Sequence, residues 1–228
     1  MMTSYAQGHE LLITDPQIIA IPIQENHEPM VDLKGQQAIV LGPSPEIPNN
    51  TDYTKMRKTV YKKLVQAQKL LPEGFHFCLY EGYRSLSTQK LIFENRYAKV
   101  KKLYPTWPDD KIFIETTRLV SPIVHLDGTK NIPPHSTGGA IDVYLLDDKG
   151  HAIDMGIHPK DWIDDNTGVS LTAATSISAA AQQNRKIMSA ALSAAGFVNY
   201  TQEYWHWSYG DRYWAHQKGK KSAIYNSY

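Results

Sequence analysis

Cysteine is almost absent from this sequence. Among its 228 residues Cys78 is the single one, which excludes an internal disulfide and a zinc cluster built on several cysteines. A metal centre in this chain would therefore have to draw on histidine and carboxylate side chains.

Long hydrophobic runs are also missing. No stretch approaches the roughly 18 apolar residues that a membrane-spanning helix requires. The first ten residues contain no basic segment followed by an apolar one, which is the pattern of a secretory signal peptide. We therefore expect no membrane span and predict a cytoplasmic location.

Neither sign of charge dominates. The 24 lysines and arginines are balanced by 23 aspartates and glutamates, a formal net charge of +1, so nothing favours binding to nucleic acid or to an anionic membrane. Hydrophobic residues make up 42% of the chain and charged residues 21%, which is typical of a globular protein. The length predicts one domain that spans residues 1–228.

Periodic hydrophobic segments follow one another along the chain. Apolar residues three and four apart predict helices at about 53–71, 87–103, 109–119 and 179–195. Alternating apolar residues predict strands at about 75–80, 140–146, 197–200 and 204–209. The remaining segments are expected to be a cover of short extended pieces at 1–50, a long loop at 156–176 and a basic tail from 218 onward.

Two short segments, about sixty residues apart, contain the side chains that a catalytic zinc site needs. His135 and Asp142 are seven residues apart and are bridged by Gly138 and Gly139, a spacing that suits one loop ligand and one strand ligand on the same ion. His206 supplies a third ligand, and three protein ligands with a fourth position left to water are the pattern of a catalytic zinc.

Two further side chains suit hydrolysis at such a site. Glu203 precedes His206 by three residues and is a candidate general base on the attacking water. Arg84 follows the predicted strand at 75–80, where it can reach a cleft and stabilise a developing oxyanion. Each residue also has an ordinary structural interpretation, as a core histidine, a turn cap, a solvated carboxylate or a surface ion pair. The residues alone leave both interpretations open.

Three motifs resemble those of a known family. They are Glu81-Gly82-Tyr83-Arg84-Ser85, the segment from His135 to Asp142, and Glu203-Tyr204-Trp205-His206-Trp207. In order and spacing they are similar to the zinc D-alanyl-D-alanine dipeptidases, the VanX-like D,D-peptidases that share a fold with hedgehog signalling domains. The similarity covers about 70–210, which we take as the catalytic core.

The resemblance implies a function for each of these residues. His135, Asp142 and His206 would bind one zinc ion, Glu203 would be the general base and acid, and Arg84 would stabilise the tetrahedral intermediate. The implied fold is α+β, a small antiparallel sheet flanked by helices. The implied substrate is a free D,D-dipeptide, D-alanyl-D-alanine, held in a small and largely closed cavity.

Two departures from the family pattern concern the substrate. Pro133 stands where the dipeptidases usually have a serine that helps to hold the substrate, and residues 1–50 do not contain their N-terminal tyrosine- and asparagine-containing segment. Two alternatives therefore stay open, a D,D-carboxypeptidase or endopeptidase acting on peptidoglycan peptides, and a zinc-bound binding module without catalysis. A purely structural zinc requires neither Glu203 nor Arg84, which argues against the module. The oligomeric state and the use of another divalent ion also stay open.

Overall fold

A mixed sheet of five strands forms the centre of the protein. The structure is a computed structural model that describes residues 11–43, 47, 50–165 and 167–228. The helices are α1 (Pro16–Ile19), α2 (Lys58–Gln68), α3 (Leu86–Leu103), α4 (Asp109–Thr117), α5 (Ala179–Ala194) and α6 (Arg212–Gln217). The strands are β1 (Met30–Asp32), β2 (Val40–Leu41), β3 (Lys55–Arg57), β4 (His76–Glu81), β5 (Ala140–Leu146), β6 (Val198–Asn199) and β7 (His206–Ser208).

The strands of the main sheet lie in the order β2-β4-β5-β7-β6. The β4–β5, β5–β7 and β7–β6 pairs are antiparallel, and the short β2 adds a parallel edge to β4. Strands β1 and β3 form a separate antiparallel pair. The predicted α+β fold with a small, largely antiparallel sheet and flanking helices is confirmed.

The sheet has one apolar face and one face with polar side chains. Phe77 and Leu79 of β4, with Ile141 and Val143 of β5, belong to a core cluster that includes side chains of α2 and α5. Burying each such side chain stabilises the fold by about 1.5–3 kcal/mol. Because side chains alternate along a strand, Asp142 points away from this core. The predicted strand at 140–146 coincides with β5.

Helix boundaries follow the capping residues that the sequence shows. Helix α3 begins after Ser85, whose Oγ accepts from the backbone N–H of Thr88 at 3.2 Å. Helix α5 begins after Ser178, whose Oγ accepts from that of Ala181 at 3.0 Å, and Gly196 follows it with φ of 98°. Both helices agree with the predictions to within a residue.

The predicted helix at 53–71 is wrong at its start. Residues 52–54 form a turn of 3-10 helix, and residues 55–57 form β3, so α2 begins only at Lys58. Met56 pairs with Val31 of β1. This pairing joins segments that are distant in the sequence, and it replaces the local helical pattern.

The end of the chain also differs from its prediction. Residues 212–217 form α6, and the expected basic tail contains the buried side chains of Ala223 and Tyr225. Tyr225 belongs to the main core cluster. The expected loop at 156–176 contains a 3-10 helix, Pro159–Asp164, with a buried Trp162.

The N-terminal segment packs on the rest of the molecule through short elements. Ile23 forms a parallel bridge to Ala223 near the C-terminus, and the backbone N–H of Leu33 donates to the carbonyl oxygen of Thr54 at 2.9 Å. Residues 1–10 of the predicted cover lie outside the described residues, and the division into cover and catalytic core stays a prediction. Among the described helices, none has the length and apolar character needed to cross a membrane.

Candidate active site

The three predicted metal ligands converge on one point. His135 lies on a 3-10 helix, Pro134–Thr137, Asp142 on β5 and His206 on β7, and all three are buried. Their ligand atoms all lie within 4.8 Å of one another. Asp142 Oδ1 is 3.0 Å from His206 Nδ1, and Asp142 Oδ2 is 3.3 Å from His135 Nε2. This arrangement can hold one metal ion.

Strand register and a glycine turn account for the convergence. Asp142 and His206 are directly opposite each other in the β5–β7 ladder. Gly138 adopts a left-handed φ of 69°, which turns the chain between the 3-10 helix and β5. A Cβ on Gly139 would lie 2.5 Å from the carbonyl oxygen of Tyr209. The two glycines therefore permit the fold-back that the spacing of His135 and Asp142 predicts.

The orientation of the His135 ring is set by a backbone carbonyl. Its Nδ1 is 2.8 Å from the carbonyl oxygen of Gly82. Because a carbonyl oxygen only accepts, Nδ1 carries the proton and Nε2 presents its lone pair to the other two ligands.

The protonation states of the ligands suit a metal, which binds deprotonated groups. Burial alone would raise the pKa of Asp142, but the charge and hydrogen bonds of His135 and His206 outweigh it and hold the pKa well below its ordinary value. Burial lowers the pKa of His206, against the opposing effect of Asp142. Two imidazole nitrogens and a carboxylate are a donor set that zinc accepts readily.

Glu203 lies beside this cluster on the turn before β7. Its Oε2 is 3.8 Å from His206 Nδ1, and its side chain is buried. The amide of Asn199 holds the turn, because its Nδ2 donates to the carbonyl oxygens of Glu203, Tyr204 and His206 at 3.1, 3.4 and 3.0 Å. Asn199 could not be identified from the sequence, where it is one polar residue within the strand predicted at 197–200.

Arg84 follows β4, and two neighbours hold its guanidinium. Nη2 forms an ion pair with Glu81, which is fully buried, and Nη1 donates to Gln89 Oε1 at 2.9 Å. Gln89 in turn donates from Nε2 to the carbonyl oxygen of Ser121 at 2.6 Å. No sequence pattern indicates the contact of Gln89 with Arg84, but the three-residue spacing of Glu81 and Arg84 could have indicated their ion pair.

All five predicted site residues line the same cavity. It has a volume of about 40 Å³. Its wall includes aromatic and proline side chains beside the polar ones, namely Tyr80, Pro133, Pro134, Trp162, Tyr200 and Trp205. Tyr204 and Trp207, two of the aromatic residues around His206, lie in the core instead. The geometry thus brings together a candidate metal-binding triad, a carboxylate and a cation in a narrow space.

A family model described as D-ala-D-ala dipeptidase matches residues 51–222. The chain is 27% identical to a D-alanyl-D-alanine dipeptidase of Synechocystis sp. over 230 residues, covering 89% of this chain and 90% of the relative. It is 27% identical to a D-alanyl-D-alanine dipeptidase of Escherichia coli over 133 residues, covering 58% of this chain and 54% of the relative.

Two solved structures are similar to this chain at lower sequence identity. The LdcB LD-carboxypeptidase, whose structure concerns peptidoglycan recognition, is 17% identical with a TM-score of 0.40, covering 86% of this chain and 76% of its own. VanYB in complex with D-alanine-D-alanine is 13% identical with a TM-score of 0.44, covering 90% and 94%. The family match spans most of the sequence and all five site residues. The chain therefore belongs to the D-ala-D-ala dipeptidase family of metallopeptidases.

Proposed function

We propose that this protein is a zinc-dependent dipeptidase that hydrolyses D-alanyl-D-alanine. The observation that carries the proposal is the placement of His135, Asp142 and His206 with their ligand atoms within 4.8 Å, in a cavity that Glu203 and Arg84 also line. The substrate is extended to this chain from the names of its relatives, which are D-alanyl-D-alanine dipeptidases.

His135, Asp142 and His206 would hold the ion. A zinc ion bound there would supply Lewis acidity to the scissile carbonyl and lower the pKa of water toward roughly 7. The Asp142 carboxylate and one ring nitrogen of each histidine already lie 3.0–3.3 Å apart in a buried position, so binding requires little rearrangement of the side chains.

Glu203 would transfer the proton. Its carboxylate lies beside the triad, with Oε2 3.8 Å from His206 Nδ1, where it can take a proton from the attacking water. The same carboxyl group can then donate the proton to the leaving amine. General acid–base catalysis of this kind contributes about 10²–10⁴-fold to a rate.

Arg84 would stabilise the negative charge that develops on the attacked carbonyl oxygen. Glu81 and Gln89 fix its guanidinium, so little reorganisation is needed during the reaction. A fixed donor of this kind is worth about 10²–10³-fold in kcat.

Amino-acid release by the purified, zinc-loaded protein tests the proposal. The substrates are D-Ala-D-Ala, L-Ala-L-Ala, the two mixed dipeptides and a pentapeptide that ends in D-Ala-D-Ala. We expect release from D-Ala-D-Ala that a chelator abolishes and added zinc restores. Cleavage of the pentapeptide alone would instead make the protein a D,D-carboxypeptidase. Zinc binding without cleavage of any substrate would make it a binding module.

The cytoplasmic location also belongs to this proposal, since a free dipeptide pool inside the cell would be within reach of the enzyme. Fractionation of cells that produce the full chain tests it. We expect the protein in the cytosolic fraction, and recovery with membranes or in the medium would contradict the proposal.

A further inference from the structure

The second ring nitrogen of His206 faces away from the other two candidate ligands. Nδ1 lies 3.0 Å from Asp142 Oδ1, whereas Nε2 lies 3.4 Å from the hydroxyl oxygen of Ser208. Ser208 is the last residue of β7 and is fully buried. The ring therefore has a hydroxyl neighbour that belongs to none of the roles described above.

Asp211 follows Ser208 in the chain. One of its carboxyl oxygens accepts a hydrogen bond, and the other has no hydrogen-bond partner among the described residues. Its Oδ1 accepts from the backbone N–H of Trp214 at 2.8 Å and caps α6. Its Oδ2 is buried and has no hydrogen-bond partner within the part of the chain that the structure describes. Burial raises the pKa of Asp211, and the Ser208 hydroxyl is the largest opposing influence on that pKa. Ser208 precedes Asp211 by three residues and has its buried hydroxyl beside His206 Nε2, which makes it the candidate donor to Asp211 Oδ2.

With Asp211 ionised, the donors and acceptors of these three side chains fit together in one direction. A neutral His206 ring that presents its Nδ1 lone pair to a metal carries its proton on Nε2. That N–H can donate to Ser208 Oγ, and the hydroxyl proton can then be donated to Asp211 Oδ2. The result parallels His135, where the Gly82 carbonyl receives the proton of the non-ligating nitrogen.

We propose that Asp211 is a positioning residue which, through Ser208, holds the His206 ring in the tautomer and orientation that present Nδ1 to the metal. The inference rests on the proposed metal site. It adds two residues to that site which contact neither the metal nor the substrate. Side chains that orient a ligating histidine typically contribute about 10–100-fold to metal affinity.

The test measures zinc affinity by competition with a chromophoric chelator, so that it does not depend on turnover. Ser208→Ala removes the link and leaves the cap of α6 in place. We expect its zinc affinity to fall by about 10–100-fold. The thermal midpoint of the metal-free variant shows that the fold is retained.

Asp211→Asn gives an independent variant that keeps the cap. The amide oxygen can still accept from the backbone N–H of Trp214, whereas the amide NH2 cannot accept the hydroxyl proton of Ser208. We expect a loss of zinc affinity similar to that of Ser208→Ala. Ser178→Ala is the matched control. It also removes a helix N-cap, that of α5, but Ser178 does not line the cavity. It should lower the thermal midpoint and leave zinc affinity unchanged.

Unchanged zinc affinity in both Ser208→Ala and Asp211→Asn would overturn the inference and leave the metal site standing. A loss of affinity in Ser178→Ala as large as in the two variants would also overturn it, because the effect would then follow stability alone. Failure of the unaltered protein to bind zinc would refute the metal site itself, and with it the positioning role.

Discussion

Glu203 lies next to the proposed metal-binding triad without belonging to it. The triad consists of His135, Asp142 and His206, and Glu203 Oε2 is 3.8 Å from the nearest of their ring nitrogens. Glu203→Gln keeps the size of the side chain but removes its ability to take a proton. We therefore expect kcat to fall by about 10²–10⁴-fold while zinc stays bound. Steady-state kinetics together with the zinc content of the purified variant check this.

Glu94→Gln is the matched control for that experiment. Glu94 is exposed on α3, where it lies 3.7 Å from Lys90, and its replacement should leave both kcat and zinc content unchanged. A Glu203→Gln enzyme with wild-type turnover would show that another group transfers the proton.

Arg84 needs a substitution that separates chemistry from folding. Arg84→Ala would leave Glu81 as an unpaired buried carboxylate, which costs about 3–5 kcal/mol of stability. Arg84→Lys keeps the positive charge beside Glu81 but loses the planar guanidinium group, which also donates to Gln89. We expect the lysine variant to stay folded, with kcat lowered by about 10²–10³-fold.

The measurement for Arg84→Lys is kcat and KM beside the thermal midpoint. A loss confined to kcat is expected, because the guanidinium is proposed to act on charge that develops in the transition state. Unchanged kcat would remove Arg84 from the mechanism, and an increase in KM alone would make it a substrate-binding residue.

At the scale of elements, the sequence predicts what depends on local pattern. The alternation in β5 places Asp142 opposite the core, and the capping serines mark the starts of α3 and α5. The start of α2 is set by the pairing of β3 with β1, and α6 is short. Neither the start of α2 nor the short α6 can be recognised from the periodicity of hydrophobic residues.

The same limit applies to the candidate site. The spacing of His135 and Asp142 and the short motif around His206 indicate the triad. Three supporting residues lie on elements whose positions depend on tertiary packing. Asn199 holds the turn before β7, Gln89 lies on a face of α3, and Asp211 caps α6. No local spacing relates these three residues to the side chains that they hold.

Gly82 connects the end of β4 to the proposed metal site. It follows β4, and a Cβ there would lie 2.4 Å from the carbonyl oxygen of Lys55 and 2.8 Å from that of Tyr53. Its own carbonyl oxygen accepts from His135 Nδ1. Gly82→Ala should therefore push the end of β4 from its neighbours, cost about 1–3 kcal/mol of stability and weaken zinc binding.

Gly150→Ala separates these two effects. Gly150 has a left-handed φ of 80° with open space around it, so alanine there costs roughly 1–2 kcal/mol through backbone strain alone. Chemical denaturation and chelator competition on both variants are the measurements. Gly150→Ala should lose stability but keep zinc affinity, and equal zinc affinity in Gly82→Ala would contradict the role of its carbonyl.

At the scale of the whole molecule, Arg57 joins three distant segments. Its buried guanidinium donates to Glu25 Oε2 at 3.0 Å, to the carbonyl oxygen of Thr137 at 2.8 Å and to that of Asn226 at 3.1 Å. Thr137 lies on the 3-10 helix of His135. The N-terminal and C-terminal segments are thus held to the loop that carries the candidate metal ligand His135.

Glu25 makes this junction sensitive to acid. Burial would raise its pKa, but hydrogen bonds from the backbone of Asn226 and His27, together with the charge of Arg57, bring the pKa below its ordinary value of 4.5. A carboxyl group whose pKa is lowered by folding stabilises the folded state above its unfolded pKa. That contribution is lost as the pH falls through the folded pKa.

Glu25→Gln should therefore destabilise the protein near neutral pH and matter less in acid. The difference in free energy of unfolding between wild type and variant should be constant above about pH 5 and shrink below it, because the wild-type carboxylate then takes up a proton and becomes as neutral as the amide. Urea unfolding at a series of pH values from about 7 to 3 measures this difference. A difference of the same size at both ends would mean that Glu25 acts through its shape and hydrogen bonds, and that its charge does not help to fasten the chain ends to the His135 loop.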